Sequence, residues 1–162
     1  MSKLREKTRN QAILLLGSNI DPEKNIFSAI DLLGKIKRKS HIWKTEAFGS
    51  KGPDFLNMAV EIDTNLDKEG LKKSLIGCVE KTLRRERTAD KNAPRTIDLD
   101  IITFNGVVFD EDVWNKAFVA IPVSELVPDL ENPKTKEKLI DLVKKLKSSA
   151  NAELFYPDPN TD

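Results

Sequence analysis

The chain has 162 residues, 27 Lys and Arg against 26 Asp and Glu, and a formal net charge of +1, so bulk charge excludes a polyanion binder and any basic site must be local. One cysteine, Cys78, excludes an internal disulfide and favours a reducing compartment. No apolar run approaches membrane-spanning length and the N-terminal MSKLREKTRNQ has no signal-peptide core, so a cytoplasmic protein of one domain, 1–162, is expected.

Ala12–Leu16 (AILLL) is a short, fully apolar run and reads as a central strand, ended by Gly17-Ser18-Asn19. Asp21 as N-cap and Pro22 at the first helical position start a helix whose stripe is Ile26, Phe27, Ile30 and Leu33, with Gly34 near its end. Ser40–Thr45 reads as a second strand, and Glu46–Pro53 as a glycine-containing loop. Phe55–Ile62 alternates, with Leu56, Met58, Val60 and Ile62 on one face and Phe55, Asn57, Ala59 and Glu61 on the other. Leu71, Leu75, Val79 and Leu83 recur every fourth residue and predict a second helix. Arg84–Asn92 is a charged loop, and a strand follows from Asp98 to about Phe104. Asn105-Gly106 is a hairpin turn with Val107–Phe109 returning. Phe118–Leu126 reads as a short apolar piece broken by Pro122, and Lys136–Lys147 as a last helix before a Pro-rich tail. The order β-α-β-β-α-β predicts an α+β, ferredoxin-like core over about 11–130. Its sheet is mainly antiparallel with both main helices on one face, and a C-terminal helical extension and tail follow over 131–162.

The stretch APRTIDLDII (Ala93–Ile102) holds the chemistry. In a strand, Asp98 and Asp100 share one face, while Ile97, Leu99 and Ile101 take the other and enter a core. Two carboxylates about 6 Å apart repel by roughly 3 kcal/mol at an effective dielectric near 20. That is tolerable on a wet face and calls for a cation on a half-buried one. The pair reads either as the solvent side of a strand or as a Mg²⁺ site completed by substrate phosphates, with Arg95 able to hold phosphate oxygens. Arg84, Arg85, Arg87 and Lys91 read as a solvated loop or a polyphosphate clamp. Phe55 and Asn57 share a strand face and suit a flat heterocycle, although a strand-end aromatic beside a satisfied amide has the same pattern. His41 is the only histidine, which disfavours zinc and Cys/His chemistry, and the chain has no P-loop motif.

Lys91–Ile102 (KNAPRTIDLDII) resembles the signature of the 6-hydroxymethyl-7,8-dihydropterin pyrophosphokinase family of folate biosynthesis. Leu15–Asp21 (LLGSNID) and Pro53–Asn57 (PDFLN) are similar to that family's first turn and pterin-binding strand. The resemblance implies transfer of pyrophosphate from ATP to the hydroxymethyl pterin, with release of AMP and two Mg²⁺ ions. It implies that Asp98 and Asp100 hold the metals, and that Arg85 and Arg95 stabilise charge on the transferring group. Glu80, Arg87, Ile101 and Lys116 would meet the nucleotide, and Thr45, Phe48, Phe55, Asn57 and Phe118 the pterin. The expected partners are small molecules, with no nucleic acid, no membrane and a monomeric chain. The sequence departs from the family pattern in three places. No Pro-His segment lies between Val108 and Phe118, Lys116 stands where arginine is usual, and Asn92 stands where a lid tryptophan is usual. Trp114 is a candidate to cover the site instead. These departures keep a second reading open, a degenerate homologue that binds pterin or nucleotide but transfers poorly. A ferredoxin-like module binding protein or RNA through Arg84–Arg87 is disfavoured by the absence of RNP-type aromatics.

Overall fold

A computed structural model describes residues 9–46, 53–85, 95–147 and 150–156. Strand β1 (Asn10–Ser18) runs through the centre of a sheet between β4 (Phe55–Thr64) and β5 (Asp98–Phe104), antiparallel to both. Beyond β4 lie β3 (Ile42–Thr45) and the edge strand β7 (Ala152–Phe155), and beyond β5 lies β6 (Val107–Val108). The short β2 (Arg38–Lys39) also pairs with β4, so the expected second strand is two pieces. Every pairing is antiparallel, and the central order β5-β1-β4-β3 is that of the split βαββαβ arrangement.

The apolar run in β1 is continuous because both of its faces are covered. Leu14 and Leu16 pack with Leu56, Met58, Val60 and Ile62 under helix α1 (Pro22–Leu33) and the helical segment that follows β4. Ile13 and Leu15 pack on the other face, under α4 (Ala117–Leu126) and α5 (Leu139–Lys147). Burying each such side chain contributes roughly 2 kcal/mol. Ile97, just before β5, and Leu99 within it enter the first core as expected, with Ile101 packed against it. The β1–β5 register slips between Ile13 and Leu14, leaving Ile102 as an extra residue that turns into the opposite core.

Four local expectations are corrected. Asp21 does not cap α1 through its side chain; it sits in the left-handed region (φ 40°), and Pro22 opens the helix as expected. The helix after β4 is not uniform. It runs as α2 (Lys68–Gly70), a π-helical stretch Leu71–Ile76, and α3 (Gly77–Thr82). Bonding of the i→i+5 type moves the buried stripe to Leu71, Ile76 and Val79, leaving Leu75 and Leu83 only half-buried. Phe118–Leu126 lies within a helix, with Pro122 inside it. Val119, Ala120, Ile121, Pro122, Val123 and Leu126 are all buried, and burial on nearly every side outweighs the one backbone bond that proline withholds. Finally, the tail contributes β7, which pairs with β3 from Ile42↔Phe155 to Thr45↔Ala152.

Candidate active site

Strand register assembles the site. Gly17 lies opposite Asn57 on one side and Asp98 on the other, and Leu15 lies opposite Ala59 and Asp100. Both rows face the α4 side of the sheet, where Leu15 and Ala59 join that core. Glycine gives the first row its room: a Cβ at position 17 would stand 3.1 Å from Asn57 Oδ1 and press on that amide. Thr45, Phe55, Asn57 and Phe118 line the same cavity of about 320 Å³ as Arg95, Asp98, Asp100 and Lys116. Asn57 is 2% exposed, and its Nδ2 donates to Thr45 Oγ1 at 2.8 Å, which sets the plane of the amide. A wider groove of about 920 Å³ along α1, lined by Phe27, Lys44 and Phe155, contains none of the expected site residues.

The acidic end is held by two arginines. Arg95 Nη1 lies 3.1 Å from Asp98 Oδ2, and Arg85 Nη1 lies 3.4 Å from Asp98 Oδ1. Arg85 also pairs with Glu80, a buried carboxylate on α3. Arg85 and Glu80 therefore stand behind Asp98 rather than on the cavity wall. The buried Arg85 Nε has no hydrogen-bond partner among the described residues. Although Asp100 is partly open to water, protein strips solvent from one side of its carboxyl. That desolvation first, and the charges of Asp98 and Asp110 next, push its pKa up to about 7. Burial also raises Asp110.

Sequence reasoning missed several members of this constellation. Glu46, Asp110 and Asp112 line the cavity without belonging to a readable motif, and Gly17 lines it from within LLGSNID, where it was given no role. Asn19 is 3% exposed and fixes the backbone of Arg95. Its Oδ1 accepts from the Arg95 backbone N–H at 2.7 Å, and its own N–H donates to the Arg95 carbonyl at 3.1 Å. The -G-S-N- ending of β1 was the available signal, since an asparagine directly after a strand can bond a neighbouring backbone. Lys116 reaches the cavity wall, 3.3 Å from Asp112 Oδ2. Ile101 lines a second, adjoining pocket rather than the first. Trp114 does not cover the site; it is 8% exposed and packs in the core beneath α4, where an apolar ring gains most. Phe48 and Arg87, together with most of the Glu46–Pro53 and Arg84–Asn92 loops, lie outside the described residues.

Among the described residues, no group of three or more His, Cys, Asp or Glu is arranged to hold a metal ion. The donor set is nonetheless of the right kind for Mg²⁺. Two hard carboxylates share one face, the arginines neutralise Asp98, and the charge on Asp100 lacks full compensation. Carboxylates that take only part of an Mg²⁺ shell and leave the rest to phosphate oxygens fit that description.

Residues 13–128 match the model of the family described as 7,8-dihydro-6-hydroxymethylpterin-pyrophosphokinase (HPPK). The chain belongs to this family. It is an ATP-dependent pyrophosphokinase on the α+β fold described above. It is similar to the 2-amino-4-hydroxy-6-hydroxymethyldihydropteridine pyrophosphokinase of Campylobacter jejuni, with 42% identity over 110 residues, 64% of this chain and 68% of that protein. The enzyme of the same description from Methylorubrum extorquens is 33% identical over 135 residues, 74% of this chain and 84% of that protein. Among solved structures, wild-type Plasmodium falciparum HPPK-DHPS with pterin and p-hydroxybenzoate superposes with a TM-score of 0.67 at 13% identity. That match covers 90% of this chain and 44% of that one, so the chain spans less than half of the longer protein, and the likeness bears on the fold alone. Among the described residues, no helix is long and apolar enough to cross a membrane.

Proposed function

We propose that the chain transfers pyrophosphate from ATP to 6-hydroxymethyl-7,8-dihydropterin and releases AMP. One observation supports this above the others: a single cavity has a ring-and-amide end (Phe55, Asn57, Thr45, Phe118) and a carboxylate–arginine end (Asp98, Asp100, Arg95). Flat heterocycle and polyphosphate are the two chemistries such ends select. The pterin ring sits between Phe55 and Phe118, with its edge hydrogen-bonded by Asn57, and the hydroxymethyl group points along the strands toward Asp98. Its oxygen bonds to the β-phosphorus, the bond from that phosphorus to the α,β-bridging oxygen breaks, and AMP leaves with the electron pair. The hydroxymethyl proton passes to solvent. Asp98 and Asp100 would hold Mg²⁺, two ions in the family-based expectation, which supplies charge neutralisation and orients phosphate oxygens when bound.

Arg95 faces the transferring group, while Arg85, anchored by Glu80, keeps Asp98 oriented from behind. Positioning and electrostatics carry the step, as is usual for phosphoryl-type transfers. Both ends of the cavity come from one chain, so a monomer suffices. The test is AMP formation from Mg-ATP with and without the hydroxymethyl pterin. Pterin-dependent AMP is expected. Pterin-independent AMP, or ADP in its place, would reject the reaction, and nucleotide binding without AMP would favour the degenerate homologue.

A further inference from the structure

The sheet face that carries the candidate active site holds another cross-strand row, at the opposite end of α4. Ile13, two residues along β1 from Leu15, lies opposite Glu61 on β4 and opposite Thr103 on β5. The slip in the β1–β5 register brings Thr103, rather than Ile102, opposite Ile13. At the start of α4, Phe118 and Val119 line the first cavity; at its other end, Val127 lines a separate pocket of about 330 Å³ over this row. The two pockets share no residue. The far pocket has fixed walls. The Asn105 N–H donates to the Gln11 carbonyl at 2.7 Å, and the Gln11 N–H returns to Asn105 Oδ1 at 2.9 Å. Across the pocket, the Lys37 N–H donates to the Glu61 carbonyl at 2.9 Å.

Two buried polar side chains sit where apolar ones would pack. Glu61 is 6% exposed. Arg38 Nε donates to its Oε2 at 3.1 Å, and Arg38 Nη2 donates to the same oxygen. Lys37 Nζ stands 3.5 Å from Oε1, an ion pair with no hydrogen bond. Arg38 Nη1 and the Lys37 ammonium therefore keep donors to spare, and Glu61 Oε1 keeps room to accept. Two half-exposed cations against one carboxylate leave surplus positive charge at the mouth of the pocket. Thr103 is 4% exposed and lines the pocket. Its hydroxyl has no hydrogen-bond partner among the described residues and is not sealed away from the pocket. A hydroxyl left unbonded on a buried row costs stability unless something entering the pocket bonds it.

We propose that this pocket is a further ligand site and that it takes a small phosphate monoester bearing hydroxyl groups. The phosphate sits at the mouth on Lys37 and Arg38, and the hydroxyls reach Thr103 and Glu61 Oε1. The volume lies within the range of small-molecule sites, about 300–1,000 Å³. The donor set selects the class. Arginine and lysine beside a surplus positive charge favour an oxyanion. The single carboxylate is already paired with cations, which disfavours a metal ion, and its polarity with that of Thr103 disfavours a wholly apolar ligand. This binding is separate from pyrophosphate transfer and uses none of the residues assigned to it.

The test uses the full chain with Mg²⁺ and saturating α,β-methylene-ATP, which fills the first cavity. The calorimetric probes are ribose 5-phosphate, inorganic phosphate and ribose. Ribose 5-phosphate should bind at one further site and weaken as salt rises, with inorganic phosphate about tenfold weaker and ribose giving no heat. Thr103→Val keeps the branched shape and deletes only the hydroxyl. It should weaken ribose 5-phosphate about tenfold while leaving inorganic phosphate within about twofold. Lys37→Met should weaken both severalfold and flatten the salt dependence. In wild type, ribose 5-phosphate should shift the backbone amide resonances of Gln11, Glu61, Thr103 and Gly106 and leave those of Asn57 and Asp98 unmoved. Absence of ribose 5-phosphate binding to wild type, shifts centred on Asn57 and Asp98, or a Thr103→Val affinity equal to wild type each overturns the inference. AMP formation on the same preparations tests the pyrophosphokinase reading separately, so either can fail without the other.

Discussion

Asp100→Asn should remove transfer and, at the same time, make the metal-free protein more stable. In the folded chain the Asp100 carboxyl titrates near 7 instead of near 3.8, because desolvation and the neighbouring Asp98 and Asp110 charges disfavour its ionised form. The folded state therefore holds this proton to a higher pH than the unfolded state, and stability falls as pH rises from about 4 to about 7, then levels off. For a fully buried group such a displacement would amount to about 4 kcal/mol. Asp100 is exposed, and solvent screening leaves an expected penalty of about 1 kcal/mol. Urea unfolding of wild type and Asp100→Asn without divalent metal should give equal midpoints near pH 4 and a more stable variant at pH 8. Adding Mg²⁺ at pH 8 should raise the wild-type midpoint and leave the variant nearly unmoved. A variant no more stable than wild type at pH 8, or a gap that shrinks as pH rises, would refute the idea that uncompensated charge at this position awaits a cation.

Asp98→Ala should abolish transfer and lower stability, in contrast to Asp100→Asn, because it takes the shared anion from Arg85 and Arg95; paired unfolding and AMP assays check this. Asn57→Ala should weaken pterin binding about tenfold by removing ring-edge hydrogen bonds of about 1 kcal/mol each, with nucleotide-analogue affinity unchanged in calorimetry. Gly17→Ala should also lower pterin affinity with little loss of stability, since its Cβ would press on Asn57 Oδ1 from 3.1 Å; unaltered pterin titration would show that the amide yields without consequence. Asn19→Ala should cost about 1–3 kcal/mol in urea unfolding by orphaning the Arg95 N–H, and should slow transfer by freeing that backbone.

Which candidate site residues share a face was legible in the sequence, because period two along a strand dictates it. That rule alone placed Asp98 with Asp100, and Phe55 with Asn57, and opposed both pairs to apolar neighbours that enter the core. The antiparallel βαββαβ core was legible too, since apolar runs, a Pro-opened helix and an Asn-Gly turn are local signals. What tertiary structure decided is what depends on contacts distant in sequence. The four residues of β7 have meaning only beside β3, and α4 keeps Pro122 only because burial around it outweighs local propensity. The stripe after β4 shifts by one residue because the best fit of Leu71 and Ile76 to the sheet is reached through a π turn, whose i→i+5 spacing a four-residue repeat does not reveal. Register made Gly17 the hinge between Asn57 and Asp98, and a hydrogen bond across 76 positions of sequence tied Asn19 to Arg95. Local propensity acts on neighbours in the chain, whereas a site is assembled from strands whose mutual alignment is set by the packing of both faces of the sheet.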